Sequence, residues 1–410
     1  MGRSVWLICA SFRLATSYSI HPNRLLEVRV TNNLAYSSFS HLEEALTGAA
    51  EQSVSGVLIV IEDGEGGDNG DARVLESMPT AAARIAMLER EHLIREWLRQ
   101  AALSMPVIAV STGRQLDGVC AGLALAAGQR IVTERTMISL QGCRLGLLPS
   151  GISLLSALAP EEQRPLAMAF ALGALRLSMH DASHLHIARF VPSNDVPDLL
   201  SELRCAPSTF LDVPLTRRCR VAPAMYANLF VEGSPLEEAL DHIFGQGSCD
   251  AAEVLCRLKH EADRTAKLLH SHSWRTRECA EQVDAVLGEA ATSLHTRHSS
   301  PSALAATFVV LRMCFEAVER EGGVACNHHL EHLVNARLAA RDDFGEGLRA
   351  CPGQGGGSGG SQARFAGMVA RAHVPRWEPS TMDGALAVAD TEVAQARAEA
   401  NEIHAIEPGE

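Results

Sequence analysis

The chain has 410 residues, 47% of them apolar and 21% charged, enough to bury a full core and long enough for one large domain with an extension. A formal net charge of −13 excludes broad electrostatic coating of nucleic acid, and no uninterrupted apolar run reaches the roughly 18 to 20 residues of a spanning helix, which argues for a soluble chain. Eleven cysteines lie scattered without C-x-x-C pairs, so they read as thiols in a reducing compartment rather than as a disulfide framework.

Residues 1–26 hold Arg3, Arg13 and Arg24, no acid, and Trp6, Leu7, Ile8, Phe12 and Leu14 among hydroxylated residues. That pattern is expected of an amphipathic mitochondrial targeting segment; an ordinary first strand with a polar leader is the alternative. Leu25 to Val30 alternates like a strand, and Gly56 to Ile61 is apolar throughout like a buried one, predicted to pair with Pro106 to Val110. Helical spacing marks 39–52, 80–103, 117–127 and 161–172. Beyond about Ser234 the helices predicted are 236–244, 251–269, 278–294, 302–320 and 324–341. A Gly/Ser-rich stretch at 352–361 is a flexible insertion, and 381–410 is an acidic helical tail with seven acids against Arg397. Its apolar side could dock on a partner as readily as fray in solvent.

Most information sits between Met105 and Ser150. A buried strand, Pro106-Val107-Ile108-Ala109-Val110, runs into Gly118-Val119-Cys120-Ala121-Gly122-Leu123-Ala124, and residues this small let a backbone or ligand approach a helix N-terminus closely. Farther on stand Leu140-Gln141-Gly142 and Gly146-Leu147-Leu148-Pro149-Ser150. This frame resembles the crotonase superfamily, and within it the 3-hydroxyisobutyryl-CoA hydrolases. Ser299-Ser300-Pro301, Arg341-Asp342-Asp343-Phe344-Gly345 and Pro375-Arg376-Trp377-Glu378-Pro379 carry the resemblance on to about residue 379. It implies an α/β fold: a crotonase-like spiral of strand-strand-helix units over 27–233, then a mainly helical extension over 234–380.

The resemblance also implies where chemistry would reside. The family's glycine triplet reads Gly118-Val119-Cys120 here, and Asp68 takes the alanine position in the loop that completes its oxyanion hole, aligned with Asp68-Asn69-Gly70-Asp71-Ala72-Arg73. The positions of its catalytic glutamate and aspartate fall at Gly142 and Ser150, so both carboxylates are absent. A substrate-contacting glutamate aligns with Glu91, leaving Glu91, Gly118 and Gly122 as the expected remains of a pocket. General acid-base groups are each worth about two to four powers of ten in rate and an oxyanion donor about two to three, so turnover is not expected.

Cys143 and Ser150 lack a local histidine that could activate either as a nucleophile. His328 and His332 share the i, i+4 spacing of zinc ligands, but no further ligands are evident, and a solvated helix face is the reading adopted. Arg84, Arg90, Arg95 and Arg99 read likewise as a solvated face paired with Glu89, Glu91 and Glu96, whereas Arg217, Arg218 and Arg220 are candidate RNA contacts. No cofactor or metal is expected. Relatives of the hydrolase are constituents of the mitochondrial ribosomal small subunit, so the resemblance implies a matrix pseudoenzyme whose partners are mitochondrial ribosomal proteins and rRNA, with no membrane and no productive CoA ester. The competing expectation is a divergent acyl-CoA hydrolase or hydratase using Glu91, Asp68 or Asp117.

Overall fold

A computed structural model describes residues 16–31, 36–63, 75, 78, 80–140, 142–159, 161–173, 175–205, 234–245, 250–270, 274–294, 299–321, 328–350 and 382–406. The Asp68–Arg73 loop, Arg217, Arg218, Arg220, the 352–361 insertion and the Pro375–Pro379 motif lie outside them.

Strands β1 (Thr16–Ile20) and β2 (Leu25–Thr31) form an antiparallel hairpin, followed by α1 (Tyr36–Glu51), β3 (Gly56–Glu62), α2 (Ala81–Ser104) and β4 (Val107–Ser111). The spiral continues with β5 (Gln115–Leu116), α3 (Gly118–Ala126), β6 (Gln129–Val132), β7 (Met137–Ser139), α4 (Gly142–Leu145), α5 (Ile152–Leu158) and α6 (Arg164–Ala171). Its last turn holds β8 (Arg176–Leu177), α7 (Met179–His184), β9 (Arg189–Phe190) and α8 (Val196–Cys205). Successive turns send one strand to a six-stranded sheet, ordered β1-β2-β3-β4-β6-β9, and a shorter one to a three-stranded sheet, β5-β7-β8. This is the expected strand-strand-helix spiral.

Parallel strands covered on both faces need apolar residues at every position, which explains the unbroken run in β3. Leu58 and Val60 point with Ile108, Val110 and Ile131 toward Leu199 and Leu203 of α8. Val57, Ile59 and Ile61 point into the main core. Glu27 of β2 is buried on the α8 side, where the Arg204 guanidinium grips it with bonds of 2.7 and 2.8 Å. Burial opposes its charge, yet Arg204, His21 and Arg29 outweigh that and bring its pKa down to about 2. Because β1 and the start of β2 belong to the sheet, the expected boundary at residue 26 falls inside the hairpin.

The extension comprises α9 (Pro235–Phe244), α10 (Ala251–Leu268), α11 (Trp274–Leu294), α12 (Pro301–Glu321), α13 (His328–Ala339), α14 (Asp342–Ala350) and α15 (Met382–Ile406). Pro301–Glu319 of α12 has the length and mean hydropathy, 1.5, of a membrane-crossing helix, although Arg312, Glu316 and Glu319 interrupt its apolar run. Most of it is buried here, because α5, α13 and α15 pack around it as a core helix. In α15 the buried residues Ala385, Ala389, Val393 and Ala396 recur at helical spacing, and their small side chains permit close packing on α12. The acidic tail therefore docks its apolar side on its own chain.

Candidate active site

Helix α3 begins as the small residues dictate. Gly118 has φ of +49°, a left-handed conformation that glycine adopts without a Cβ penalty, and Val119 to Ala126 are buried. The chain's own side chains make the close approach at Gly122. A Cβ at that position would fall on the Ser150 hydroxyl and lie 3.1 Å from Cδ of Arg95. Ser150 in turn donates a hydrogen bond to the Glu91 carboxyl. Glu91, Gly122 and Ser150 thus meet, and they fill one another's space.

Around them lies a buried ionic network that local sequence reading missed. Arg95 donates to Glu331 at 2.6 Å and lies 3.4 Å from Glu91, with each of the three at most 6% exposed. The Glu331 carboxylate also accepts from the Gly151 N–H at 2.9 Å, the Ser153 N–H at 3.1 Å and the Ser153 hydroxyl at 2.6 Å. It thereby satisfies donors at the start of α5, where Gly151 holds φ of +80°. The solvated face expected for α2 is therefore overturned at Arg95 and Glu91, because α13 covers that face and supplies Glu331. Elsewhere on the helix the reading fares better: Arg99 pairs with Glu96 at 2.6 Å, while Arg90 reaches Glu43 on α1 at 4.0 Å.

One arginine faces two carboxylates, so the two acids divide. Burial penalises charge on Glu331, but Arg95, the Ser153 hydrogen bond and His328 outweigh it and hold its pKa at about 2. For Glu91 burial dominates over Arg95 and the Ser150 hydrogen bond, and the charge on Glu331 adds to it, so its pKa is raised. Arg95 and Glu331 form the ion pair, and Glu91 is the acid whose ionisation burial opposes.

The histidines of α13 also depart from expectation. His328 is buried and its Nδ1 lies 2.7 Å from the Ser153 hydroxyl, while His332 stacks on His92 of α2 with ring centroids 4.7 Å apart. His329 tilts against the same His92 ring at 5.6 Å. Burial drives the pKa of His92 down to about 3 and that of His328 to about 4, so both are neutral packing groups. Among the described residues, no group of three or more His, Cys, Asp or Glu side chains is placed to hold a metal ion.

Gly142 opens α4 where the resemblance puts a glutamate. A Cβ there would stand 2.5 Å from the Leu148 carbonyl carbon and oxygen and from the Pro149 nitrogen, all backbone atoms that cannot swing aside. The 142–150 segment is clamped from the extension: Asn335 accepts from the Leu148 N–H at 2.8 Å, and the Ser300 N–H donates to the Cys143 carbonyl at 2.9 Å. The Cys143 thiol lies 3.3 Å from the Thr307 hydroxyl, and burial pushes its pKa up to about 12, which removes it as a nucleophile.

A small apolar cavity beneath α3, lined by Ala109, Leu116, Ala121, Leu125 and Ile138, measures about 10 Å³. That is about the room of a single water and not of a thioester.

The profile of the enoyl-CoA hydratase/isomerase family matches residues 24–352. The chain belongs to that family. An enoyl-CoA hydratase from Rhodobacter sphaeroides 2.4.1 superimposes with a TM-score of 0.62 at 22% identity, covering 93% of this chain and 96% of that one. A carnitinyl-CoA dehydratase from Mycobacterium thermoresistibile gives 0.61 at 16% identity, covering 92% and 96%. At such identities the likeness establishes the fold. No curated protein matches the sequence. Within the enoyl-CoA hydratase/isomerase fold, the small-residue helix and the turn after Gly146 stand as expected, while Ser150, Glu91 and Glu331 occupy the space beside α3.

Proposed function

We propose that this enoyl-CoA hydratase/isomerase family member is catalytically silent and acts as a structural component of the mitochondrial ribosomal small subunit. The observation that carries the loss of catalysis is Gly142. The expected position of one catalytic carboxylate is held by a residue whose surroundings reject any side chain, and Ser150 stands in place of the other. The buried Arg95–Glu331 pair ties the segment between them to the extension, and Glu91 holds Ser150 from α2. Such a network rigidifies a surface and suits a scaffold better than a site that must open for substrate.

Placement in the ribosomal small subunit, with ribosomal proteins and rRNA as neighbours in the matrix, rests on the resemblance to hydrolase relatives found there and on the acid-poor start of the chain. Gradient sedimentation of mitochondrial lysate followed by mass spectrometry tests it. The chain is expected to travel with the small subunit through a salt wash; migration as a free species contradicts the placement.

The second reading, a divergent acyl-CoA hydrolase or hydratase, is favoured by one observation: Glu91 is a buried acid with a raised pKa, the state a general acid needs. Thermal stabilisation by a CoA thioester would support it, because a ligand bound only by the native state raises apparent stability.

A further inference from the structure

We propose that the seam between α2 and α13 is a proton-operated latch: protonation of His92 and His328 parts the two helices and withdraws Glu331 from the start of α5. Helix α13 turns a polar face to that seam. His328, Glu331, His332 and Asn335 recur at the i, i+3, i+4, i+7 spacing of one helix face, while Leu330, Val334 and Leu338 fall on another. Each member of the polar face meets a group across the seam. His328 meets Ser153, Glu331 meets Arg95, His332 meets His92, and Asn335 meets the Leu148 N–H.

Three ring nitrogens here are buried with no hydrogen-bond partner among the described residues: His92 Nε2, His328 Nε2 and His332 Nδ1. One nitrogen of a neutral imidazole is a bare acceptor, but an imidazolium carries a proton on both, so protonation would bury an unsatisfied donor together with its charge. The neighbouring charges do not offset that cost. Around His92, Arg95, His332 and His329 add to the effect of burial against Glu331 alone. Around His328, Glu331 and Glu96 face Arg99 and Arg95, and burial decides the balance. His332 also faces Glu89 and Glu331, yet burial, Arg95 and His329 prevail.

Parting the helices returns both histidines to the ordinary value of 6.5, whereas the closed seam holds them at about 3 and about 4. The closed state therefore binds fewer protons, and its advantage is complete above pH 6.5 and declines as pH falls. Between pH 7.5 and 5.0 the opening constant rises about 30-fold for each histidine and about 900-fold for the two together. Glu331 stays largely ionised in both states over that window, since its value moves only between about 2 and 4.5. Glu91 acts in the opposite sense, because its raised pKa favours the closed state as protons bind, and comparing variant with wild type cancels it.

What the latch controls is the space beside α3. Withdrawal of Glu331 frees the Gly151 and Ser153 N–H groups and unpins the segment that carries Ser150. Arg337 holds Gln395 of α15 at 2.7 Å and Glu392 at 3.4 Å, so α13 stays seated on α15 as the seam opens. The latch is independent of the ribosomal placement.

Amide hydrogen exchange of the full chain, resolved by NMR at pH 7.5 and 5.0 and corrected for intrinsic rates, tests the latch. The Leu148, Gly151 and Ser153 amides donate across the seam and report its opening. They are expected to open together, and more often than the amides of β3, which report global unfolding. His92→Phe and His328→Gln are each expected to shrink the rise on acidification by about 30-fold, and the double variant by about 900-fold. Opening constants for the three amides equal to those of β3 at both pH values would show that the seam parts only by global unfolding and would overturn the latch; this readout needs no variant. A rise on acidification that both substitutions leave unchanged overturns it as well.

Discussion

Replacing Glu331 by glutamine isolates the interaction on which the filled site turns. The substitution leaves shape nearly unchanged but removes the charge opposite Arg95, which is 5% exposed and has Glu91 at 3.4 Å as its other acid. Breaking a buried pair by deleting one partner costs about 3 to 5 kcal/mol, because the remaining charge is stranded. Glu91 can ionise and take over part of the pairing, which places the expected loss near the lower end, about 3 kcal/mol. The pKa of Glu331 leads to the same figure: a fall from 4.5 to about 2 corresponds to about 3 kcal/mol at about 1.4 kcal/mol per unit. Since the native pKa is the lower one, this contribution is complete above pH 4.5 and disappears as pH falls toward 2. Urea unfolding at pH 7 reads the loss as a drop in midpoint at constant slope. Pairing E331Q with Arg95→Met removes the stranded charge and is expected to recover most of the loss. A loss below about 1 kcal/mol, or no recovery in the double variant, refutes the assignment of Arg95 and Glu331 as the neutralising pair.

Three further outcomes follow from the geometry. Gly142→Ala forces its Cβ against the Leu148 backbone and is expected to cost about 1 to 3 kcal/mol, and G142E with S150D is expected to destabilise further without producing thioester hydrolysis; thermal melting and a thiol-release assay check both. Cys143 is expected to resist iodoacetamide at pH 8 in the native state while exposed Cys256 is alkylated, as peptide mapping before and after denaturation will show. His92 and His328 have native pKa values of about 3 and 4 against 6.5, so the unfolded chain binds more protons below pH 6.5 and stability declines from there downward. His92→Phe, which keeps the stack on His332 without a titratable ring, is expected to flatten the pH 4 to 6.5 limb of the urea midpoint profile.

The spiral was legible because its signals are local. The apolar run of β3, the glycine and alanine content of α3 and the turn at Gly146 each follow from residues a few positions apart. The absence of both carboxylates, by contrast, is what the resemblance implies at Gly142 and Ser150. What escaped is long-range: Arg95 and Glu331 lie 236 residues apart, and nothing in either neighbourhood marks its partner. An arginine-rich α2 and a histidine-rich α13 look solvated when read singly, and become buried only because each covers the other. Helix α12 shows the converse, since its hydropathy matches a membrane span while its burial comes from α5, α13 and α15, and the small residues of α15 announce a docking face without naming its target.

Thiol release from 3-hydroxyisobutyryl-CoA by the purified full chain tests catalytic silence most directly. The expected rate equals that of buffer alone, with no change on replacing Glu91 by glutamine. Turnover above background that Glu91→Gln abolishes would show that the buried acid still works on a thioester, and the scaffold reading would fall.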